Sequence, residues 1–215
     1  MCAIGYQWHA LDLLDELPGL LEGQQIGLLV GTSIGPTQSR PWFIDMRAGG
    51  GNLLERGSHH LDLARAVAGE VAAVQAAAGR IRLARSSGEA AGDIDDALTM
   101  LLQHASGALA TIVVAWTRPG QPGSFSLDIL ASDATLRLAL DPDFTLTGMS
   151  GGQRVDSRAA SHPFERSMRR FLRAVAGRDP AAVPCTPRDA AATLAVAAAA
   201  ERALETSRAV PVESF

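Results

Sequence analysis

The chain has 215 residues, 47% of them hydrophobic, and a formal net charge of −4. That is enough apolar material for one sizeable core, expected as a single domain over residues 1–215, and its 19 Lys and Arg residues form no basic stripe, which excludes nucleic acid as a partner. No stretch is long and apolar enough to span a bilayer, the opening residues lack a signal-peptide layout, and Cys2 and Cys185 show neither disulfide nor metal-ligand spacing, so a cytoplasmic protein without membrane contact is expected.

In chain order, "CAIGYQW" reads as a short strand. Leu11, Leu14, Leu17 and Leu21 then follow at helical spacing until Pro18-Gly19, which should break the helix. "QQIGLLVGTSIG" reads as a second strand. The helix in "GGGNLLERGSHHLDLARAVAGE" is followed by the strand candidates "VAAVQAAAGRIRL", "DDALTMLLQH", "ALATIVVAW", "SFSLDILA" and "ATLRLAL", with turn residues between them, an antiparallel meander. Two helices close the chain. One enters at Ser161 with Pro163 in its first turn and ends at Gly177; the other enters at Thr186 with Pro187 and Asp189 in a capping-box-like start. Strands grouped in the middle with helices at the ends predict an α+β fold, an open, predominantly antiparallel sheet with helices on one face.

The helix from Asn52 to Gly69 carries the chemistry. At 100° per residue Leu54, Gly57, Leu61, Ala64 and Ala68 form a core stripe, and Glu55, His59 and Asp62 line up nearly opposite, so that a carboxylate flanks the imidazole on each side. His60 points elsewhere. Asn52 caps the start, Glu55 takes the capping-box position, and Gly69 ends the helix. Gly57 weakens it by up to about 1 kcal/mol relative to alanine, which suggests that an element or a ligand approaches the backbone there.

General acid–base chemistry suits this stripe, because a carboxylate beside an imidazole raises its pKa and makes a proton acceptor near neutral pH. Solvated pairs of Glu55 and Asp62 with Arg56 or Arg65 are the plainer alternative. A zinc site needs a third ligand cluster that is not evident, so no metal is expected. Tyr6, Trp8 and Trp42 either line a substrate pocket or fill the core. Asp95-Asp96 reads as structural, His104 and His162 as surface residues, and Cys185 as a thiol with no nearby base.

The segment "GGGNLLERGSHHLD" resembles the G-G-G-x-L-x-[DE]-x-G-x-H-x-x-D motif of the Gfo/Idh/MocA oxidoreductases, which include glucose-fructose oxidoreductase and inositol dehydrogenases. "AIGYQWHALDLLDELPGLLEGQQIG", "RPWFIDMRAGGG", "IDDALTMLLQHASGALATIVVAW" and "DAAATLAVAAAAERALETSRAVPV" resemble, in order, further parts of that family's second domain. The resemblance implies that His59 transfers the proton beside a nicotinamide, with Glu55, where the family more often has Asp, and Asp62 as its acidic partners, and with Gly57 against the cofactor. It also implies NAD or NADP as cofactor, a sugar, cyclitol or other polyhydroxylated small molecule as substrate, and a dimer packed sheet to sheet, for which "ALATIVVAW" is apolar on both faces.

The family's glycine-rich dinucleotide loop and its Glu-Lys-Pro segment are not found in the sequence, and Gly49 to Gly51 lack the strand–loop–helix context of a phosphate cradle. The expectation is therefore a C-terminal domain whose NAD(P) is bound mainly by a domain absent from this chain, and which is inactive by itself. The alternative is a non-catalytic binding or assembly module that has lost its dinucleotide-binding domain.

Overall fold

A computed structural model describes residues 1–37, 40–80, 94–117 and 119–213. Strands β1 (Ile26–Pro36), β2 (Val71–Gly79), β3 (Ala97–His104), β4 (Leu109–Thr117), β5 (Ser124–Ala131), β6 (Ala134–Asp141), β7 (Thr145–Ser150), β8 (Gln153–Arg158) and β9 (Val210–Pro211) form one sheet. Their order is β8-β7-β6-β5-β1-β4-β3-β2-β9. Alternation is why they form: in β3, Leu98, Met100 and Leu102 are buried while Thr99, Leu101 and Gln103 are exposed, the period-2 signature of a sheet with one covered face.

The expected antiparallel meander is corrected in one respect. β1 lies between β4 and β5, parallel to β4 and antiparallel to β5, so it splits the meander into β2–β3–β4 and β5–β6–β7–β8. The hairpin of β7 and β8 was not expected from the sequence, although Ser150-Gly151-Gly152 is a turn signal and both Gly151 and Gly152 adopt positive φ. The candidate strand "VAAVQAAAGRIRL" ends in residues 81–83, which lie outside the described residues.

The start of the chain also departs from expectation. "CAIGYQW" is not a strand: Gln7–Ala10 and Asp12–Asp15 are 3₁₀ turns, followed by the short helix α1 (Leu17–Leu20). Trp8, Leu11, Leu14, Leu17 and Leu20 recur every third residue, the period of a 3₁₀ helix, and Trp8, Leu11 and Leu17 are buried. Pro18 starts α1 rather than breaking a helix, because a proline in the first turn has no N–H to leave unpaired.

Helices cover one face of the sheet. α2 (Met46–Gly49) leads into a π-helical turn over Leu53–Gly57 and then α3 (Ser58–Ala68), which packs on β1 and β4. α5 (Pro187–Thr206) packs on β2 and against α3, and its start is as expected: Thr186 accepts from Asp189 N and the Asp189 side chain accepts from Thr186 N. α4 (Pro163–Gly177) starts one residue later than expected, with the His162 ring rather than Ser161 accepting from Phe164 N. α4 rests on the 3₁₀ turn of Gln7–Ala10, to which Arg166 and Arg170 donate at the carbonyls of Ala10 and His9. Its apolar stripe of Phe164, Met168, Leu172 and Val175 faces outward.

Among the described residues nothing covers the other face of the sheet. Leu101, Leu109 and Leu130 are exposed there, beside half-buried Leu28, Val30, Ile34 and Val113 on the central strands. Among the described residues no helix is long and apolar enough to cross a membrane.

Candidate active site

The three glycines ahead of the motif build a chain reversal. Asp45 accepts from the backbone N–H groups of Arg47 and Ala48 to start α2, and Gly50 and Gly51, with φ of 70° and 68°, turn the chain into the next helix through a region costly for side-chain-bearing residues. A Cβ on Gly49 would collide with the carbonyl oxygen of Trp42. Asn52 is already helical and does not cap; its side-chain amide donates to Asp96 O at 3.3 Å, tying the turn to the start of β3.

The π turn is the main departure from the helical wheel. With i→i+5 hydrogen bonds each residue advances less than 100°, so the angles read from a regular helical wheel do not hold for Glu55 relative to Asp62. Ser58 donates to Leu54 O at 2.7 Å within this widened turn. Glu55 is half-buried, and its carboxyl is pushed up by burial, opposed by the neighbouring charges of Arg56 and Arg40; His59 is not among its partners. Arg56 donates to Pro36 O at 3.0 Å and lies over the Phe125 ring, 5.2 Å from its centroid; burial lowers its pKa, opposed by Glu55.

His59 lies edge-on to Tyr6, with ring centroids 5.4 Å apart and planes at 89°. Its Nδ1 is buried without a hydrogen-bond partner. Burial lowers its pKa, and the Asp62 charge opposes this only in part. The expected upward shift is therefore corrected: desolvation wins, because Asp62 is turned to other partners. The result is an imidazole that is neutral at pH 7, with a lone pair available for a proton. Burial likewise pushes the Tyr6 hydroxyl up, and the side chain of Ser58 acts in the opposite direction.

His60 faces the sheet and is buried to 1% exposure. A Cβ on Gly31 would stand 2.6 Å from Ile112 Cδ1 and 3.2 Å from the His60 ring, so the glycine in β1 makes room for both. Burial pushes its pKa down to about 4, with the backbone of Ser126 and Thr32 opposing. His104, expected at the surface, is buried, with Nδ1 2.7 Å from Gly69 O, where it joins the end of α3 to β3. Its pKa is lowered by burial, opposed by that carbonyl and by Glu70.

Asp62 is fully buried. Oδ1 accepts from the Thr193 hydroxyl at 2.8 Å and lies 3.9 Å from Arg65, whose guanidinium is held by both oxygens of Glu70. Oδ2 lies 2.9 Å from His9 Nε2. Cys185 completes this group: its Sγ, His9 Nε2 and an Asp62 oxygen lie within 4.8 Å of one another. The expectation that Cys185 has no nearby base is overturned, since a histidine and a carboxylate both adjoin it. Burial, with Asp62 and Asp189 adding, pushes its thiol up to about 12.

The other expected site residues separate. Tyr6 joins His59, whereas Trp8 is a core residue packed near Phe144. Trp42 is partly exposed and stacks on Phe43 at 4.0 Å. Gly57 is buried, and a Cβ there would meet Leu53 and Met100 at 3.4 and 3.7 Å, ordinary contact distances, so packing does not demand a glycine. His9, Thr193 and Cys185 were missed as partners of Asp62, because they converge from positions distant in the chain without a local pattern.

The nine-stranded sheet of the described residues, with the His59 helix on its covered side, defines an α+β domain. Residues 29–137 match the family model described as the GFO/IDH/MocA C-terminal domain, and the chain belongs to that family. Among solved structures it is similar to aldose-aldose oxidoreductase from Caulobacter crescentus complexed with glycerol (20% identity, TM-score 0.79, 97% of this chain and 63% of that one). It is also similar to levoglucosan dehydrogenase complexed with NADH and L-sorbose (15%, TM-score 0.75, 98% and 64%). A third is an oxidoreductase domain protein from Kribbella flavida (16%, TM-score 0.75, 98% and 66%). The chain thus spans under two thirds of each of those chains. Comparison with curated proteins gives no match.

Proposed function

We propose that residues 1–215 act as a single substrate-binding and oligomerisation domain of an NAD(P)-dependent oxidoreductase, in which His59 exchanges a proton with a hydroxyl of a sugar, cyclitol or similar polyol. The observation that carries this reading is His59 edge-on to Tyr6 in the family motif, its pKa lowered by burial, with a buried ring nitrogen that no described residue satisfies. The solved relatives with glycerol and with NADH and L-sorbose support the substrate class and the cofactor.

The residues fit one end of such a cofactor. His59 and Tyr6 would adjoin the reacting end, whereas the described residues hold no glycine-rich loop between a strand and a helix for the phosphates, which a separate dinucleotide-binding domain would supply. A cofactor contact at Gly57 is not retained, since that residue is buried against the core. When bound, the nicotinamide supplies hydride transfer at the substrate carbon. His59 takes the hydroxyl proton in the oxidation and returns it in the reduction. Tyr6 fixes the plane of the imidazole. Glu55, half-buried with a raised pKa, is suited to a hydroxyl of the substrate, and Asp62, enclosed by Thr193 and His9, serves by position rather than by contact.

The uncovered sheet face fits a second copy of the chain, because apolar residues on β1, β3, β4 and β5 form one contiguous surface. The two free cysteines and the lack of a membrane-crossing helix among the described residues agree with a cytoplasmic setting. The decisive experiment joins the chain to a dinucleotide-binding domain and follows NAD(P)H formation over a panel of sugars, cyclitols and linear polyols. Turnover that requires His59 supports the reading. Polyol binding without turnover, or turnover indifferent to His59, would replace it with a non-catalytic binding module or a different base.

A further inference from the structure

We propose that His9, Asp62 and Cys185 form a site for one divalent transition-metal ion of zinc type, held between the first 3₁₀ turn, α3 and the entry to α5. The inference goes beyond the oxidoreductase reading and does not depend on it.

Geometry is the first support. Imidazole nitrogen, carboxylate oxygen and thiolate sulfur make a zinc donor set, and in a tetrahedral site such atoms stand roughly 3.3–3.6 Å apart. Here the three ligating atoms lie within 4.8 Å of one another, so small side-chain movements bring them onto one ion. Asp62 and Cys185 are fully buried, which leaves the opening on the His9 side.

The second support is the mismatch between proximity and hydrogen bonding. His9 Nε2 and Asp62 Oδ2 stand 2.9 Å apart, yet both are buried atoms and neither completes a hydrogen bond, because the imidazole N–H direction does not meet the carboxylate. Buried polar atoms are nearly always satisfied, and an imidazole nitrogen and a carboxylate oxygen this close without a hydrogen bond are stabilised by a cation that both can reach. Asp62 Oδ1 is already held by Thr193, which fixes the carboxylate with Oδ2 free to ligate. The charge of Arg65 lies 3.9 Å from Oδ1 and is paired with both oxygens of Glu70, so its repulsion of an incoming cation is reduced.

Binding replaces the Cys185 S–H proton with the metal and releases that proton to solvent. Three protein ligands leave the fourth tetrahedral position for water. The ion ties the turn of Gln7–Ala10 to α3 and to the residue before Thr186, and so holds Tyr6, which precedes that turn, against His59.

The test titrates the metal-free 215-residue chain with zinc ions by calorimetry and with cobalt ions by absorption spectroscopy. One equivalent of zinc is expected to bind with a dissociation constant of about 1 μM or tighter, and cobalt should give a thiolate-to-metal charge-transfer band with tetrahedral ligand-field bands. Cys185→Ala and His9→Ala should each weaken zinc binding by at least about 100-fold, the upper end of an outer-shell loss, while His162→Ala at the exposed cap of α4 leaves it unchanged. The cobalt spectrum of the unmodified chain decides the matter even if a variant folds poorly. No saturable binding below about 1 mM, a cobalt complex without the thiolate band, or zinc binding that survives both substitutions would overturn the proposal.

Discussion

The Thr193 hydroxyl donates to Asp62 Oδ1 over 2.8 Å, joining α5 to α3 through two side chains with no exposed surface. A hydrogen bond to a buried carboxylate contributes about 1.5–3 kcal/mol, and a valine at position 193 keeps the shape while removing the donor. Thr193→Val is therefore expected to destabilise the chain by about that amount in urea unfolding, with the denaturant slope unchanged. A loss below about 0.5 kcal/mol would show that water or Arg65 replaces the hydroxyl.

His59 and His60 are adjacent but face different surroundings, so their substitutions should separate by type of effect. In the chain joined to a dinucleotide-binding domain, His59→Ala is expected to lower turnover by about 10²- to 10⁴-fold with cofactor affinity nearly unchanged. His60→Ala empties a core position against β1 and should lower the unfolding free energy by about 1–3 kcal/mol, with less than about tenfold effect on turnover. Equal effects on turnover would sink the assignment of the base to His59.

Acid should destabilise the fold through its buried histidines. An unfolded histidine titrates near 6.5, whereas burial pushes His60 down to about 4 and also lowers His104. Between those values the unfolded chain binds the proton and the folded chain does not, so this contribution is fully present above about pH 6.5 and falls with pH by up to about 1.4 kcal/mol per unit for His60. Melting temperatures measured from pH 7.5 to 4.5 should show the decline, and His60→Leu should flatten it. A slope unchanged by that substitution would place the acid sensitivity elsewhere.

The open sheet face predicts self-association. Sedimentation velocity should give a dimer, and Leu109→Lys, a charge placed on that face at the start of β4 beside Leu28, should shift the population to monomer without changing the far-ultraviolet circular dichroism. A monodisperse monomer at high concentration would refute the sheet-to-sheet arrangement.

Because the described residues contain no phosphate cradle, the chain alone should bind NAD+ or NADP+ only weakly, with a dissociation constant above about 1 mM. Calorimetry giving a micromolar value would move the dinucleotide site into this domain.

The strands β3, β4 and β6 were legible because each alternates buried and more exposed residues, and α5 was legible because Thr186 and Asp189 advertise its start. The hairpin of β7 and β8 was not, since "TLTGMS" and "QRVDSR" place few large apolar residues on either face. Period-2 reasoning also cannot say that β1 pairs in parallel with β4, which depends on contacts formed by tertiary packing. At the site, the spacing picked out His59 and separated it from His60, but the helical wheel assumed 3.6 residues per turn, which the π turn over Leu53–Gly57 does not keep. The surroundings of Asp62 were invisible, because Thr193 lies 131 residues away and no periodicity links the two.

The central position of β1 has a consequence during synthesis. Thr37, just beyond its end, bonds to Thr117 at the end of β4, 80 residues later, and the opposite edge of β1 waits for β5. At about 5–20 residues per second, the nascent chain carries an exposed, apolar strand with neither neighbour for roughly 4–16 s or more. Both halves of the sheet can form as local meanders, but they can be joined only by a segment made before either of them. The seam of the sheet is thus made before every other strand of that sheet and is among the last to be paired, and a chaperone that shields "IGLLVGTSIGP" during that interval should raise the yield of folded protein more than one acting after release.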